Sequence, residues 1–157
     1  MNTPYRFSKE ENSLLEHYSK KKTVSAVFYH LWVNGVQPEK QFIFIDTVEL
    51  HFEDQSVLFF KINEEDTGFS ILEEYDFEKE QAALAAQFDG ALSLKRVNVS
   101  AAPLWVENIK TPLLKMQSQI DEKYTVGNFV TIDFEAGAIE INYEQETGIG
   151  VIVYEEL

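Results

Sequence analysis

The chain has 157 residues, a length that fits one compact domain and is too short for most large enzyme barrels. Hydrophobic residues make up 45% of the sequence and charged residues 25%, a balance typical of a folded domain and unlike that of a disordered chain. The formal net charge is −14, so the phosphates of nucleic acids and of anionic membranes would repel the protein, and we expect neither as a partner.

A helix is predicted near the start of the chain. Ser8 is a candidate N-cap and Glu11 follows three residues later, which is the spacing of a reciprocal capping box. Four strands should follow, because apolar and polar residues then alternate between turn signals. The predicted strands cover 24–33, 42–52, 58–62 and 69–75, with a loop at 34–40. The first strand is apolar in both alternating sets, which indicates a central strand covered on both faces.

A second helix is predicted over 77–89, capped by Asp76 and ended by Gly90. Its apolar stripe consists of Phe77, Gln81, Leu84 and Phe88. A short strand at 92–99 and a short helix at 103–109, which has proline at its first position, come next. The remaining predicted strands cover 113–119, 128–134, 138–143 and 149–154.

The two strand-rich regions resemble each other. Both run from an alternating strand that ends in Phe-Glu, through a turn, a second strand and an acidic Thr-Gly turn, to a further strand. The matched positions are Val48 with Val130, Phe52 with Phe134, Glu53 with Glu135, Thr67 with Thr147, and Gly68 with Gly148. Two interpretations stay open: a duplication of 8–75 and 103–156 joined by the helix at 77–89, with a pseudo-twofold relation, or two independent meanders that alternate in the same way.

Either interpretation predicts the same fold class. We expect a single α+β domain over 1–157, built mostly of antiparallel β-meanders and covered by two or three helices. Acidic residues on the outward faces of edge strands discourage edge-to-edge pairing, so a monomer is favoured over a homodimer.

The motifs of common catalytic sites are absent from the sequence. It contains no GxSxG, no phosphate loop ending in GK[ST], no GxGxxG and no HExxH. Strand geometry would allow a site that joins His30 and His51 with Glu49 or Asp46, although His30 lies among apolar residues and is better explained as a packed, hydrogen-bonded histidine. The turn at 63–68 lacks the DxDxDG rhythm of a calcium loop. We therefore predict no catalytic, cofactor-binding or metal-binding residue, and no enzyme.

The cellular compartment is predicted from what the sequence lacks. There is no cysteine, which excludes disulfides and thiolate chemistry and fits a reducing environment. The first residues contain no uninterrupted apolar core of the signal-peptide type, and no segment approaches the roughly 18 apolar residues of a membrane span. We expect a cytoplasmic protein.

The acidic charge is concentrated in the strand-rich body. Residues 1–40 carry a formal charge of +2, whereas residues 41–157 carry −16. We hypothesise a noncatalytic interaction protein, such as an intracellular inhibitor or an immunity protein, whose acidic face binds a basic protein partner through electrostatic steering. The candidate interaction face consists of Glu49, His51, Glu53, Asp133, Glu135, Glu140, Glu144 and Trp105. The alternatives are a β-rich domain that binds a small molecule in an apolar pocket and an enzyme of unrecognised type.

Overall fold

The computed structural model describes residues 5–34, 42–121 and 124–154. Within these ranges, three helices and nine strands alternate along the chain. The elements are α1 (Lys9–Ser19), β1 (Val24–Asn34), β2 (Phe42–Phe52), β3 (Val57–Ile62), β4 (Phe69–Leu72), α2 (Phe77–Gln87), β5 (Leu92–Asn98), α3 (Pro103–Ile109), β6 (Leu113–Asp121), β7 (Tyr124–Phe134), β8 (Ala138–Glu144) and β9 (Gly148–Tyr154). Every pairing between these strands is antiparallel, which confirms the α+β class.

Two sequence predictions concern a loop and a membrane span. The loop predicted at 34–40 lies outside them, apart from Asn34, which ends β1. Among the residues that are described, none of the helices combines the length and the apolar composition that crossing a bilayer demands.

The predicted capping box begins α1. The Ser8 hydroxyl accepts a hydrogen bond from the Glu11 amide, and the Glu11 carboxylate accepts one from the Ser8 amide. Glu11 is itself buried, and its second carboxylate oxygen accepts a hydrogen bond from the Ile71 amide at 2.7 Å. One side chain therefore caps the helix and ties it to β4.

The strands form one branched sheet. A first meander, β1 to β4, is extended by β5, which pairs with the free edge of β1, so β1 lies between two strands as predicted. A second meander runs from β6 to β9 and joins the first where Ile149 of β9 pairs with Ile45 of β2. The predicted strand at 92–99 is confirmed as β5 and the predicted helix at 103–109 as α3.

A single hydrophobic core is shared by both meanders, α1 and α3. Its fully buried members include Leu50, Phe60, Ile132 and Trp105. Four further buried apolar residues lie outside this cluster: Val33, Phe59, Leu84 and Leu94. Leu84 is on α2, so α2 covers a second and smaller apolar layer on the opposite face of the first meander.

The helix α2 is confirmed, but it packs more thinly than its predicted stripe implies. Asp76 caps it by accepting the Lys79 amide at 3.1 Å. Leu84 is its only buried residue, and Phe88 lies beyond its last turn with 36% of its surface exposed. The helix thus covers its side of the sheet with little apolar contact.

Each meander is preceded by a helix, as the internal resemblance of the sequence predicts. The order of elements is the same for α1 with β1–β4 and for α3 with β6–β9. A shared order is also expected of two independent meanders, so duplication and the pseudo-twofold relation stay predictions.

Candidate functional site

The residues of the predicted interaction face lie on different parts of the fold. Asp133 and Glu140 lie on the outer face of β7 and β8, because their neighbours Ile132 and Ile139 point into the core. Glu53, Glu135 and Glu144 are exposed at strand ends, and His51 lies half-buried on β2. Glu49 and Trp105 are buried. The expectation that these last two belong to an exposed face is wrong.

Trp105 is buried because α3 directs it into the core. Pro103 begins this seven-residue helix, and the Trp105 side chain has no exposed surface. Its indole N–H donates a hydrogen bond to the Tyr29 hydroxyl at 2.6 Å. With its polar atom satisfied inside the protein, Trp105 stabilises the core and is not available to a partner.

Glu49 is buried on β2 at the centre of a cluster of histidine and arginine side chains from three strands. Its Oε1 atom accepts His30 Nε2 of β1 at 2.7 Å and Arg96 Nε of β5 at 3.0 Å. Its Oε2 atom accepts Arg96 Nη2 at 2.6 Å and a short hydrogen bond from His51 Nε2. These contacts place the proton of each histidine on Nε2, and four donors fill the acceptor positions of one carboxylate.

The cluster keeps Glu49 ionised inside the protein. Burial alone raises the pKa of a carboxyl group, but the hydrogen bonds from His30, Arg96 and His51 outweigh it and hold the pKa of Glu49 well below its usual range. The Arg96 guanidinium also lies over the Phe28 ring, 3.8 Å from its centroid. Glu49 is therefore a buried ion-pair centre that binds β1, β2 and β5 together.

The structure brings His30, His51 and Glu49 together as the sequence allowed, but not as a reactive site. A carboxylate whose lone pairs are all occupied has no position left for a substrate proton or a metal ion. Among the described residues, no group of three or more His, Cys, Asp or Glu side chains is arranged to hold a metal ion. The arrangement favours a structural role for the cluster.

Asp46 is a second buried carboxylate on β2, and its surroundings differ. A break in register between His30 and Leu31 leaves Asp46 as an extra residue in β2, where bulges redirect side chains. Its Oδ2 atom accepts the Thr47 hydroxyl at 2.7 Å and lies 3.5 Å from Lys61 Nζ. No described residue donates a hydrogen bond to its Oδ1 atom. Asp46 can therefore accept a further hydrogen bond, whereas the acceptor positions of Glu49 are all occupied.

A groove of about 680 Å³ lies between the β3–β4 hairpin and the start of α2, and we call it the acidic groove. Its apolar and aromatic lining comes from Tyr5, Ile62, Leu72 and Tyr75. Its charged lining comes from Glu64, Glu65, Glu74, Asp76, Glu80, Lys61 and Lys79. Five carboxylates against two ammonium groups give the lining a formal net charge of −3.

Most of this negative charge is not neutralised within the protein. The four groove glutamates are exposed, and in the described part of the chain their side chains accept no hydrogen bond and form no ion pair. Asp76 is the exception, because it caps α2. Charges of one sign that line a concave surface focus the electrostatic field, so these carboxylates attract cations.

The acidic groove was not predicted from the sequence, although a signal for it exists. The segment 64–80 contains eight Asp and Glu residues in 17 positions. Two signals in the sequence indicate the groove. One is the local density of acidic residues, and the other is the pair of turns that bring 64–66 close to 73–80.

Comparison of this chain with protein-family models, with curated proteins and with solved structures finds no match.

Proposed function

We propose that this protein is a noncatalytic interaction protein that binds a Lys- or Arg-rich segment of a basic partner protein in the acidic groove. The observation that carries the proposal is the set of four exposed glutamates around one concave surface, none of them neutralised by a described residue. Unpaired charge of one sign accelerates and orients the association of a partner of opposite sign.

The lining of the groove supports a protein ligand. Tyr5 and Tyr75 supply aromatic surface next to the carboxylates, a combination that is common where protein interfaces concentrate their binding energy. Seven of the thirteen lining residues are charged, whereas a pocket for an apolar small molecule is lined mainly by hydrophobic groups. The charge thus favours a basic protein segment over the alternative of a small apolar ligand.

An inhibitor or immunity protein acting inside the cell on a cationic toxin is the specific form of this function that we propose. A high net negative charge also makes two copies of the chain repel each other, so we propose that the protein acts as a monomer. Duplication of the helix-plus-meander unit is proposed as the origin of the fold.

The proposal is tested by titrating the full chain with a heptapeptide of alternating lysine and glycine in a calorimeter. Three glutamates of the groove, Glu64, Glu65 and Glu74, are replaced together by glutamine. At about 0.5 kcal/mol for each exposed charge pair, their loss should weaken binding about tenfold. Binding to the unmodified chain should also weaken as salt is raised, because exposed charges are screened.

The matched control removes the same charge elsewhere. The triple variant Glu135→Gln, Glu144→Gln and Glu146→Gln changes exposed positions in or next to turns of the second meander and should change the affinity less than about twofold. Equal losses in the two triple variants, or no measurable binding to the unmodified chain at low salt, would contradict the proposed function.

A further inference from the structure

A small pocket of about 110 Å³ adjoins the acidic groove, and we call it the side pocket. Lys61, Tyr75 and Glu80 line both spaces. Trp32, Leu84 and Leu94 form much of its remaining wall, and the buried Asp46 also lines it. A volume of three to four waters, at about 30 Å³ each, admits the end of one long side chain.

Two polar groups that line the side pocket, Asp46 and Tyr75, can each form a further hydrogen bond. Asp46 is only 6% exposed, and its Oδ1 atom receives no hydrogen bond from a described residue. The Tyr75 hydroxyl is buried and has no hydrogen-bond partner in the described part of the chain. Buried polar atoms are nearly always hydrogen-bonded, so the Tyr75 hydroxyl, unpartnered among the described residues and next to a carboxylate oxygen that receives no donor from them, indicates a ligand that donates hydrogen bonds.

A cation of the protein itself already lies at the entrance. Lys61 Nζ is 3.5 Å from Asp46 Oδ2, the long limit of a hydrogen bond, and 5.8 Å from the centroid of the Tyr75 ring. Its ammonium group therefore occupies the combination of carboxylate and aromatic face that attracts cations. Because the contact is long and the stem of lysine is flexible, an incoming cation with better geometry can replace it.

Resting on the proposed function, we propose that the side pocket is a subsite for one arginine side chain of the basic partner. Arginine fits better than lysine because its planar guanidinium presents five donors, enough to reach Asp46, Glu80 and the Tyr75 oxygen together. The same plane can lie against the indole of Trp32, which lines the side pocket and itself stacks on Phe44 with ring centroids 4.8 Å apart. Lysine offers three donors and no plane.

The experiment uses the two tryptophans of the chain as internal reporters. The full chain is titrated with Nα-acetyl-arginine amide while the indole N–H signals of Trp32 and Trp105 are followed by NMR. The Trp32 signal should shift and saturate, whereas the buried Trp105 signal, hydrogen-bonded to Tyr29, should stay in place. Nα-acetyl-lysine amide should bind about fivefold or more weakly, since it lacks the planar fork.

Three variants locate the binding. Asp46→Asn should weaken the arginine probe about tenfold or more, because it removes the buried charge. Tyr75→Phe keeps the ring and removes only the hydroxyl, so it should weaken the probe severalfold even if Asp46→Asn fails to fold. Glu64→Gln, in the groove but outside the side pocket, should change the affinity less than about twofold.

The subsite is refuted if the arginine probe leaves the Trp32 signal unshifted, if lysine binds more tightly, or if folded Asp46→Asn and Tyr75→Phe bind like the unmodified chain. These results are separable from a failure of the proposed function. Groove-dependent binding of the lysine–glycine heptapeptide without a response at Trp32 overturns the subsite alone. An Asp46-dependent response at Trp32 without heptapeptide binding overturns the partner proposal and leaves a site for small guanidinium compounds.

Discussion

Replacement of Glu49 by glutamine tests the buried ion-pair cluster. The substitution keeps the shape of the side chain but removes its charge, while His30, His51 and Arg96 remain around it. Glutamine offers one carbonyl oxygen where the carboxylate offered two, so at least one of the four donors loses its acceptor. Glu49→Gln should therefore lower the stability of the folded protein.

The size of the effect follows from burial. Breaking a buried ion pair by removing one partner costs about 3–5 kcal/mol, and Glu49 is only 4% exposed. Arg96 lies at the edge of the cluster with 36% of its side chain exposed, so water can take over part of its solvation. We expect a loss of about 2–3 kcal/mol in the free energy of unfolding, which corresponds to a fall of about 5–10 °C in the melting temperature.

The pH dependence supplies a second, independent signature. The folded protein holds the pKa of Glu49 well below the usual value of about 4.3, so the unfolded chain takes up a proton first as the pH falls. The stabilisation is complete above the ordinary glutamate pKa and is lost as the pH falls toward the lower pKa of the folded state. The difference in stability between the two proteins should therefore shrink as the pH falls below about pH 4.

Urea denaturation followed by tryptophan fluorescence measures these differences at each pH. The control is Glu53→Gln, which removes the same charge from an exposed position just beyond β2 and should stay within about 0.5 kcal/mol of the unmodified chain. A Glu49→Gln variant as stable as this control would refute the reasoning. So would a stability difference that is unchanged at low pH.

Two further substitutions test the packing of the fold by the same denaturation assay. Glu11→Ala should cost about 2–3 kcal/mol, because it removes the helix cap and leaves the Ile71 amide without its 2.7 Å acceptor, and a cost under about 1 kcal/mol would contradict this. Gly148→Ala should cost about 2 kcal/mol or more, because the residue has φ +76° and a new Cβ would lie 2.9 Å from Phe44 Cβ. Gly90→Ala is the control, because Gly90 has φ +78° but a new Cβ there would meet nothing within 4 Å. It should cost about 1 kcal/mol from backbone strain alone. Equal costs at the two glycines would contradict a clash between the new Cβ at position 148 and Phe44.

The elements that the sequence predicted correctly depend on local patterns. The capping box of Ser8 and Glu11 is a contact between residues three apart, and most strands follow from alternation over five to ten residues. Local patterns do not predict the environment of Trp105. Its helix was predicted, but its complete burial depends on Tyr29 and a core assembled from distant strands.

The sites could not be predicted from alternation, because they depend on what covers each face. Alternation predicts that Glu49 and His51 lie on a solvent-facing side of β2, yet Arg96 of β5 and the aromatic residues leading into α2 cover that side. Asp46 lies at a bulge, where the two-residue period of a strand breaks. Side chains at such positions turn toward partners that only the folded structure reveals.

Mapping the lysine–glycine heptapeptide on the protein by NMR tests the central claim most directly. The account predicts that amide signals shift at 61–65 and 72–80, around the acidic groove, and that the outer face of β7 and β8 near Asp133 and Glu140 does not respond. Shifts centred on that outer face, or none at low salt, would contradict it.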